Sequence, residues 1–436
     1  MANTALERST PIKFTSIKIK SDRNPLAVEI KNTMIELEIF EHIDKPYVTG
    51  SLLFVDGDRV INSLDVSGAE TVEITLEANT DVAVPVTKRF YIDKIVSSMK
   101  GNETNEVYTL HLIEDIAYIS NLQNVNKSYT GKPSQILTSI SKSFLGNKEV
   151  LTTDEDAQYM KVIVPNLTPL ASMSWIKNRT STSSGYPFYF FSPFSANSLY
   201  FTDLHTMLDR PAINEGAPYT YTESAMPTEV STDKRRTILT YESKNTENLF
   251  ELIDKGLVGA NHNFVDITRN ETKQVRFDMH KDVVEVLAKD NVLKSSPLFS
   301  ADYNLNGESF NTIRSREITQ LMSTNAYESH KSYGESLGEG TYRHNVIQQA
   351  MDGLLKKQPL TILVNGIDFL QRKGNSTIGN KLEIKFPANL NDEGKSPDRF
   401  DTKKSGNYLI YAAKHVFTIE DYRIAFTCVK LSNGEV

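Results

Sequence analysis

Several stretches in the first part of the chain alternate apolar and polar residues with a period of two. This is the pattern of strands that bury one face. The stretches cover residues 35–39, 50–55, 72–76, 90–95 and 107–112. The polar residues 101–105 predict a hairpin loop between the last two of these strands. Short strands with polar connections predict a small antiparallel barrel or sandwich that ends near residue 120.

The pattern changes to a helical period beyond residue 124. Apolar side chains in residues 134–145 fall on one helical face, with Pro133 near the start and Gly146 just past the end. A second helix is predicted over 169–178, followed by a dense aromatic run at 185–191 and a short strand at 198–201. These elements predict an α/β domain over residues 125–228.

Strand patterns return in the last part of the chain. They occupy residues 237–241, 264–267, 275–278, 360–364, 382–387, 408–411 and 422–426. Helices are predicted at 245–255, where Gly256 ends the helix, and at 342–357, where Pro359 follows. Residues 280–340 are polar and weakly patterned, and their glycines predict a flexible loop.

We therefore predict a β-rich α+β fold with two antiparallel β domains and an intervening α/β domain; the resemblance described below implies that both β domains are tube-like β-barrels. The first β domain covers residues 1–124, and the α/β domain covers 125–228. The second β domain is predicted to combine 229–280 with 356–436. Residues 281–355 form an insertion, which is either a small domain or an extended loop and helix.

Composition excludes several classes of protein. The chain has 436 residues, a formal net charge of -7 and a single cysteine, Cys428. A lone cysteine excludes a disulfide within the chain, and its strand-like neighbours favour a buried structural role. An acidic balance argues against a surface that grips nucleic acid, since such a surface needs clustered Lys and Arg. No run of about eighteen apolar residues occurs, so no membrane-spanning segment is predicted.

Enzyme signatures are absent from the sequence. It has no G-x-S-x-G elbow, no H-E-x-x-H motif and no P-loop, so neither a catalytic site nor a cofactor is predicted. His262, His280 and His344 lack a second His or Cys at ligand spacing, which favours structural or surface roles over metal binding. The predictions are therefore no catalytic residues, no cofactor and no metal.

Two carboxylate clusters and one basic run remain as candidates. Glu114-Asp115 and the acidic run 154–156 would serve glycoside hydrolysis only if two carboxylates faced each other across a cleft. A strand end and a solvated acidic turn are the simpler interpretations. The basic run 234–236 is more simply a solvated strand edge that blocks unwanted pairing than a phosphate contact.

The aromatic run at 185–191 has three interpretations. It belongs to the core, to a subunit interface or to a sugar-stacking site, because aromatic side chains serve all three. His415 lies near a predicted strand and is assigned to a wall or an interface. The interface candidates are Tyr186, Phe188, Phe190 and His415.

The order of motifs along the chain resembles the baseplate hub family of contractile-tailed phages. It is also similar to the N-terminal part of type VI secretion spikes. The segments that carry the resemblance are 47–52, 56–57, 68–74, 131–137, 169–176, 185–190, 199–204, 405–410, 415–417 and Tyr422. Residues 280–340 match no part of the family pattern.

The resemblance implies a structural role in a virion tail. If each chain contains two similar tube-like domains, a homotrimer forms a ring of six barrels. Such a ring would be a symmetry adaptor between a six-fold tail tube and a three-fold spike. The implied partners are the tail tube protein, the spike protein and baseplate wedge proteins, and DNA would pass through the lumen without specific binding. Assembly would take place in the host cytoplasm. The alternatives are a carbohydrate-binding tail adhesin and a spike-associated cell-wall hydrolase.

Overall fold

The fold is known from a computed structural model. It describes residues 12–21, 23, 27–78, 84–101, 103–153, 159–221, 234–244, 249–266, 270–292, 304–305, 307–309, 317–322, 327–329, 339–388 and 400–432.

The described N-terminal part consists of strands and two short helices. They are β1 (Ile12–Lys20), β2 (Ala27–Glu29), β3 (Met34–His42), β4 (Thr49–Asp56), α1 (Val60–Ser63), β5 (Thr71–Ala78), β6 (Val86–Lys100), β7 (Glu106–Glu114) and α2 (Asp115–Asn121). All five strands predicted in this part are present. The predicted hairpin loop at 101–105 is also confirmed, because it joins β6 to β7.

The central part of the chain mixes helices with short strands. They are β8 (Ser128–Gly131), α3 (Pro133–Phe144), β9 (Val150–Thr152), β10 (Met160–Ile163), α4 (Pro169–Lys177), β11 (Phe188–Phe191), β12 (Leu199–Asp203), α5 (Leu204–Asp209) and β13 (Tyr219–Thr220). Both predicted helices are confirmed.

The last part returns mainly to strands. Its elements are β14 (Thr240–Ser243), α6 (Leu249–Asp254), β15 (Gly259–Asp266), β16 (Glu271–Asp278), α7 (Glu285–Lys289), β17 (Asn304–Leu305), β18 (Glu308–Ser309), β19 (Glu317–Met322), β20 (Tyr327–Ser329), α8 (Glu339–Leu355), β21 (Leu360–Asn365), α9 (Ile367–Leu370), β22 (Lys381–Lys385), β23 (Gly406–Thr418) and β24 (Tyr422–Val429). A 3₁₀ turn at Lys234–Arg236 precedes β14, and a π-helical turn at His280–Val284 leads into α7.

One large sheet joins the two ends of the chain. Thirteen of the described strands belong to it, and its main path runs β14-β21-β24-β23-β3-β4-β7-β6-β5-β1-β2, with β22 and β13 attached beside β23. The β-rich prediction with a large antiparallel sheet is therefore confirmed. The two β domains are continuous with each other, since β3 and β23 pair directly. Within the described residues, strand pairing closes neither half into a separate barrel.

The two halves of this sheet repeat one strand order. The N-terminal half reads β3-β4-β7-β6-β5, and the C-terminal half reads β14-β21-β24-β23-β22. Alternation places the apolar side chains of both halves on one face: Leu52 and Phe54 of β4 are fully buried, as are Ile362 and Val364 of β21. We call the pairing of β3 with β23 the seam.

The α/β part packs around its own apolar cluster. Ile136, Leu137 and Ile140 of α3 are buried on the face that the sequence predicted, together with Met173 and Ile176 of α4. Two three-stranded sheets flank these helices, in the orders β20-β10-β8 and β11-β12-β9. The boundaries predicted for this domain stay predictions.

The hairpin β15–β16 differs from the predicted domain plan. The hairpin itself was predicted correctly, but β15 pairs in parallel with β19 instead of joining β21–β24. The strand predicted at 237–241 begins only at Thr240. The helix predicted at 245–255 covers Leu249–Asp254, and 245–248 lie outside the described residues.

Residues 280–289 are helical, contrary to the weak patterning assigned to them. Met279, Val283 and Leu287 recur at every fourth position and are fully buried, which explains the helical turns. The predicted helix at 342–357 is confirmed as α8, whose Val346, Ala350 and Leu354 are buried at the same spacing. No helix among the described residues is long and apolar enough to cross a bilayer.

Candidate functional site at the seam

A buried polar cluster lies at the seam. In the pairing of β3 with β23, His415 stands opposite Ile39 and Ala413 opposite Glu41, so Glu41 and His415 are neighbours on the buried face. Glu41 is 3% exposed and His415 is 1% exposed. Their Oε2 and Nε2 atoms lie 3.3 Å apart. The pair thus connects the two halves of the sheet through side chains as well as through backbone hydrogen bonds.

Tyr422 completes this cluster on the β24 side. Its hydroxyl lies 2.8 Å from Nδ1 of His415. Burial raises the pKa of Tyr422 well above its ordinary value, so the phenol stays protonated and can donate to the imidazole. On its other side, Nε2 of His415 faces Oε2 of Glu41 without a hydrogen bond between the two atoms.

The loop between β11 and β12 contacts the same cluster from the α/β side. The Phe194 N–H donates a hydrogen bond to Oε1 of Glu41, and the Phe194 ring lies 5.2 Å from the His415 ring. Ser195 Oγ accepts a hydrogen bond of 3.2 Å from the Ser376 N–H in the C-terminal half. The loop residues 192–195 therefore fasten the α/β part to both halves of the sheet.

A second buried carboxylate, that of Glu114, contacts Ser192 at the start of this loop. Oε1 of Glu114 lies 2.9 Å from Lys88 Nζ, and Oε2 accepts hydrogen bonds from the Val48 N–H at 2.9 Å and the Ser192 hydroxyl at 3.1 Å. Burial alone would raise the pKa of Glu114. The charges of Lys88 and Lys148, together with the hydrogen bonds from Lys88 and Val48, outweigh burial and hold this pKa below its ordinary value.

Glu114 and Asp115 are not arranged as a hydrolytic pair. Glu114 is 1% exposed and its oxygens are occupied by Lys88, Val48 and Ser192, so it faces no cleft. Asp115 opens helix α2, and burial raises its pKa. The other acidic run, 154–156, lies outside the described residues.

The aromatic run forms part of the interior of the chain. Tyr186, Phe188 and Phe190 are each at most 2% exposed. Phe188 stacks on Phe201 at 4.6 Å, and the Tyr186 hydroxyl donates a 3.0 Å hydrogen bond to Asp290. These side chains and His415 face into the protomer, and their assignment to an interface between subunits stays a prediction.

The remaining histidine and cysteine candidates lie in surroundings typical of structural residues. His262 is buried near Phe264 and Phe277, and His280 lies 3.7 Å from Glu285. Cys428 is fully buried in β24, and burial raises the pKa of its thiol, as expected for a structural cysteine. In the described ranges no three His, Cys, Asp or Glu side chains are placed to hold a metal ion. Gly334 and Gly338 lie outside the description.

Two open edges of the central sheet are further candidates, which the sequence did not reveal. Among the described strands, β14 pairs along its length only with β21, and residues 93–100 of β6 pair only with β7. Apolar side chains are exposed at both edges: Val96 and Met99 are 56% and 63% exposed, and Leu239 is 45% exposed. The sequence predicted β6 only as far as residue 95, because a register shift follows between Ile95 and Ser97 and the side chains beyond it are exposed on both faces.

Comparison with known proteins identifies the fold. The tail protein from Neisseria meningitidis MC58 superposes with a TM-score of 0.54 and 12% identity over 95% of this chain and 96% of that chain. The 43 kDa tail protein of prophage MuSo2 from Shewanella oneidensis gives a TM-score of 0.51 and 9% identity over 95% and 98%. The chain has the fold of phage tail proteins. This confirms the predicted resemblance at the level of the fold. No protein-family model and no curated protein sequence matches the chain.

Proposed function

We propose that this chain is a structural subunit of a phage baseplate hub. The observation that carries the proposal is the repeated strand order in one continuous sheet, with two different open edges. A chain that contains the same sheet unit twice can present six similar units from three copies. The shared fold with phage tail proteins supports a place in the tail.

In this proposal three copies form a ring that adapts symmetry. The ring would stack on a six-fold tail tube and accept a three-fold spike, with baseplate wedge proteins outside it. DNA would pass through the lumen during injection. The net charge of -7 fits a conduit, because an acidic wall repels phosphate and lets DNA slide without binding. The subunit would be assembled in the host cytoplasm and reside in the virion.

The seam cluster gives this ring its internal stiffness. Glu41, His415 and Tyr422 lock the two sheet units of one chain together, and Phe194 ties the α/β part to them. Buried, hydrogen-bonded polar groups favour one arrangement of the parts over alternatives that leave a charge unpaired. We expect each protomer to enter the ring as a rigid pair of units.

A structural role fits the site better than the two alternatives. An adhesin would need an exposed aromatic platform, whereas Tyr186, Phe188 and Phe190 are buried. A hydrolase would need carboxylates facing a cleft, whereas Glu114 is buried and ion-paired. The proposed subunit performs no catalysis.

Measurement of the particle mass tests this proposal. Light scattering behind size exclusion should give three times the 49.1 kDa of one chain, with the fraction of trimer rising as the protein concentration rises. A particle that stays at 49.1 kDa at every concentration, alone and with a purified spike trimer, would contradict the proposal.

A further inference from the structure

The seam shows how one sheet unit completes another. The first residues of β23 pair with β22, where Lys381 stands opposite Leu409. The later residues, Ala412–Thr418, have no β22 beside them and pair with β3 instead. A register shift between Ile410 and Ala412 separates the two parts. The long strand therefore belongs to its own unit at one end and to the neighbouring unit at the other.

Strand β6 occupies the place of β23 in the N-terminal unit. Its first residues pair with β5, where Thr71 stands opposite Tyr91. A register shift between Ile92 and Lys94 follows, at the equivalent point of the strand. Beyond it, residues 93–100 pair on one side with β7. On the other side, no strand among the described residues takes the place that β3 takes beside β23.

The counterpart of β3 exists at the far end of the same sheet. In the repeated strand order, β14 lies next to β21 in the C-terminal half, just as β3 lies next to β4 in the N-terminal half. Within the described residues its outer edge is unpaired over Thr240–Ser243, where Tyr241 is 36% exposed, whereas the preceding Ile238 N–H donates to Thr220 of β13. Open edges with exposed apolar side chains are surfaces for strand pairing.

We infer that residues 98–100 of β6 pair antiparallel with residues 241–243 of β14 in a second copy of this chain, and that this pairing rests on the proposed ring. Because the two edges differ, the contact is head-to-tail and closes into a ring instead of a two-fold dimer. The pairing repeats between copies what the seam does within one chain. Met99, which is 63% exposed in the single chain, then becomes buried at the contact.

The seam also fixes the register of this pairing. In the seam, His415 stands opposite Ile39. Ser98 takes the place of His415, because their partners Tyr108 and Ile424 lie at matching positions of β7 and β24. Ser243 takes the place of Ile39, because Leu360 and Gly50 match in the same way. Ser98 of one copy therefore faces Ser243 of the next.

A cysteine pair tests this register directly. Opposed residues of antiparallel strands lie about 4.5–5.5 Å apart at Cα, a separation that a disulfide can bridge. We expect the double variant Ser98→Cys/Ser243→Cys to form covalent dimers and trimers on oxidation, seen on a denaturing gel without reductant. Each single variant should stay monomeric on that gel. Cys428 adds no background, because it is fully buried.

A second pair controls for chance encounters. Ser97→Cys combined with Ser243→Cys places the two thiols on opposite faces of the sheet, so it should cross-link far less than the first pair. Equal cross-linking of both pairs, or none in the first pair, would overturn the inferred register.

A charge variant tests the edge without any cross-link. Met99→Lys places a charge on an edge that must be buried, so the oligomer should dissociate while the melting temperature of the monomer changes little. The matched control is Leu122→Lys, since Leu122 directly follows helix α2, is 71% exposed and lies in neither edge strand. A trimer that survives the edge variant would overturn this inference alone, whereas a wild-type chain that never forms a trimer would overturn the proposed function.

Discussion

At the scale of single residues, sequence reasoning identified side chains better than it identified their partners. Cys428 was predicted as a buried strand residue and is one. His415 was assigned to a wall or interface, and Glu41 was not singled out. The period of two could have found Glu41, because it shares a face with Leu37 and Ile39 of β3. Its partner on β23 could not be predicted, since strand pairing over hundreds of residues leaves no local signal.

Removal of Glu41 tests the seam cluster. Glu41→Ala leaves the buried Phe194 N–H without its acceptor, so we expect the free energy of unfolding to fall by about 1–3 kcal/mol. The matched control is Glu38→Ala on the same strand, whose ion pair with Lys414 is partly solvated and should contribute about 0–1 kcal/mol. Urea denaturation measures both; equal losses would contradict the role given to Glu41.

The pH dependence of stability tests Glu114. Its pKa in the folded chain is lowered, so the unfolded chain takes up the proton first as the pH falls. Stability from this group is present above about pH 4.3, the ordinary value for Glu, and is lost as the pH falls through the folded pKa. Glu114→Gln should therefore be least stable relative to wild type near neutral pH, and this deficit should shrink towards about pH 3.

The neighbouring carboxyl supplies a control of opposite sign. The pKa of Asp115 is raised by burial, so its contribution to stability is present at low pH and is lost as the pH rises through the folded pKa. Relative to wild type, Asp115→Asn should become more stable with rising pH, while Glu114→Gln becomes less stable. Denaturation midpoints measured over a series of pH values should show that the stability of the two variants, relative to wild type, changes with pH in opposite directions. Changes in the same direction would refute the opposite pKa shifts assigned to Glu114 and Asp115.

At the scale of elements, the local residue pattern predicted those strands and helices whose formation depends on contiguous residues. Helices α3 and α4 and the hairpin β15–β16 were predicted from period and punctuation alone. The partner of β15 was not, because its pairing with β19 depends on a segment about fifty residues away. The outer half of β6 was missed for a related reason: its side chains are exposed, so the pattern that marks a half-buried strand is lost.

The turn after β21 tests how tightly the elements meet at the seam. A Cβ atom on Gly366 would lie 2.4 Å from the ring of Tyr422, which is held by His415. Gly366→Ala should therefore lower the free energy of unfolding by about 1–3 kcal/mol through overpacking. Gly101→Ala is the control, since its Cβ would meet only ordinary contacts, of which the nearest is 3.4 Å. Thermal melts of both variants measure the two losses of stability. A Gly366→Ala variant as stable as wild type would show that the Tyr422 ring can move.

At the scale of the whole molecule, the sequence predicted two tube-like β domains, and the structure joins them into one sheet. The repeated strand order explains both results. Each unit has the strands of a small β domain, but each long strand extends beyond its own unit and needs a neighbour. Within the chain β3 is that neighbour for β23, and in the proposed ring a second copy would supply one for β6. The barrel form of the two units stays part of the proposal.

Electron microscopy of the purified particle tests the central claim most directly. The account predicts rings with an open lumen, three-fold symmetry and a wall of six similar units, two from each chain. Isolated globular particles, or two-fold dimers without a lumen, would contradict it.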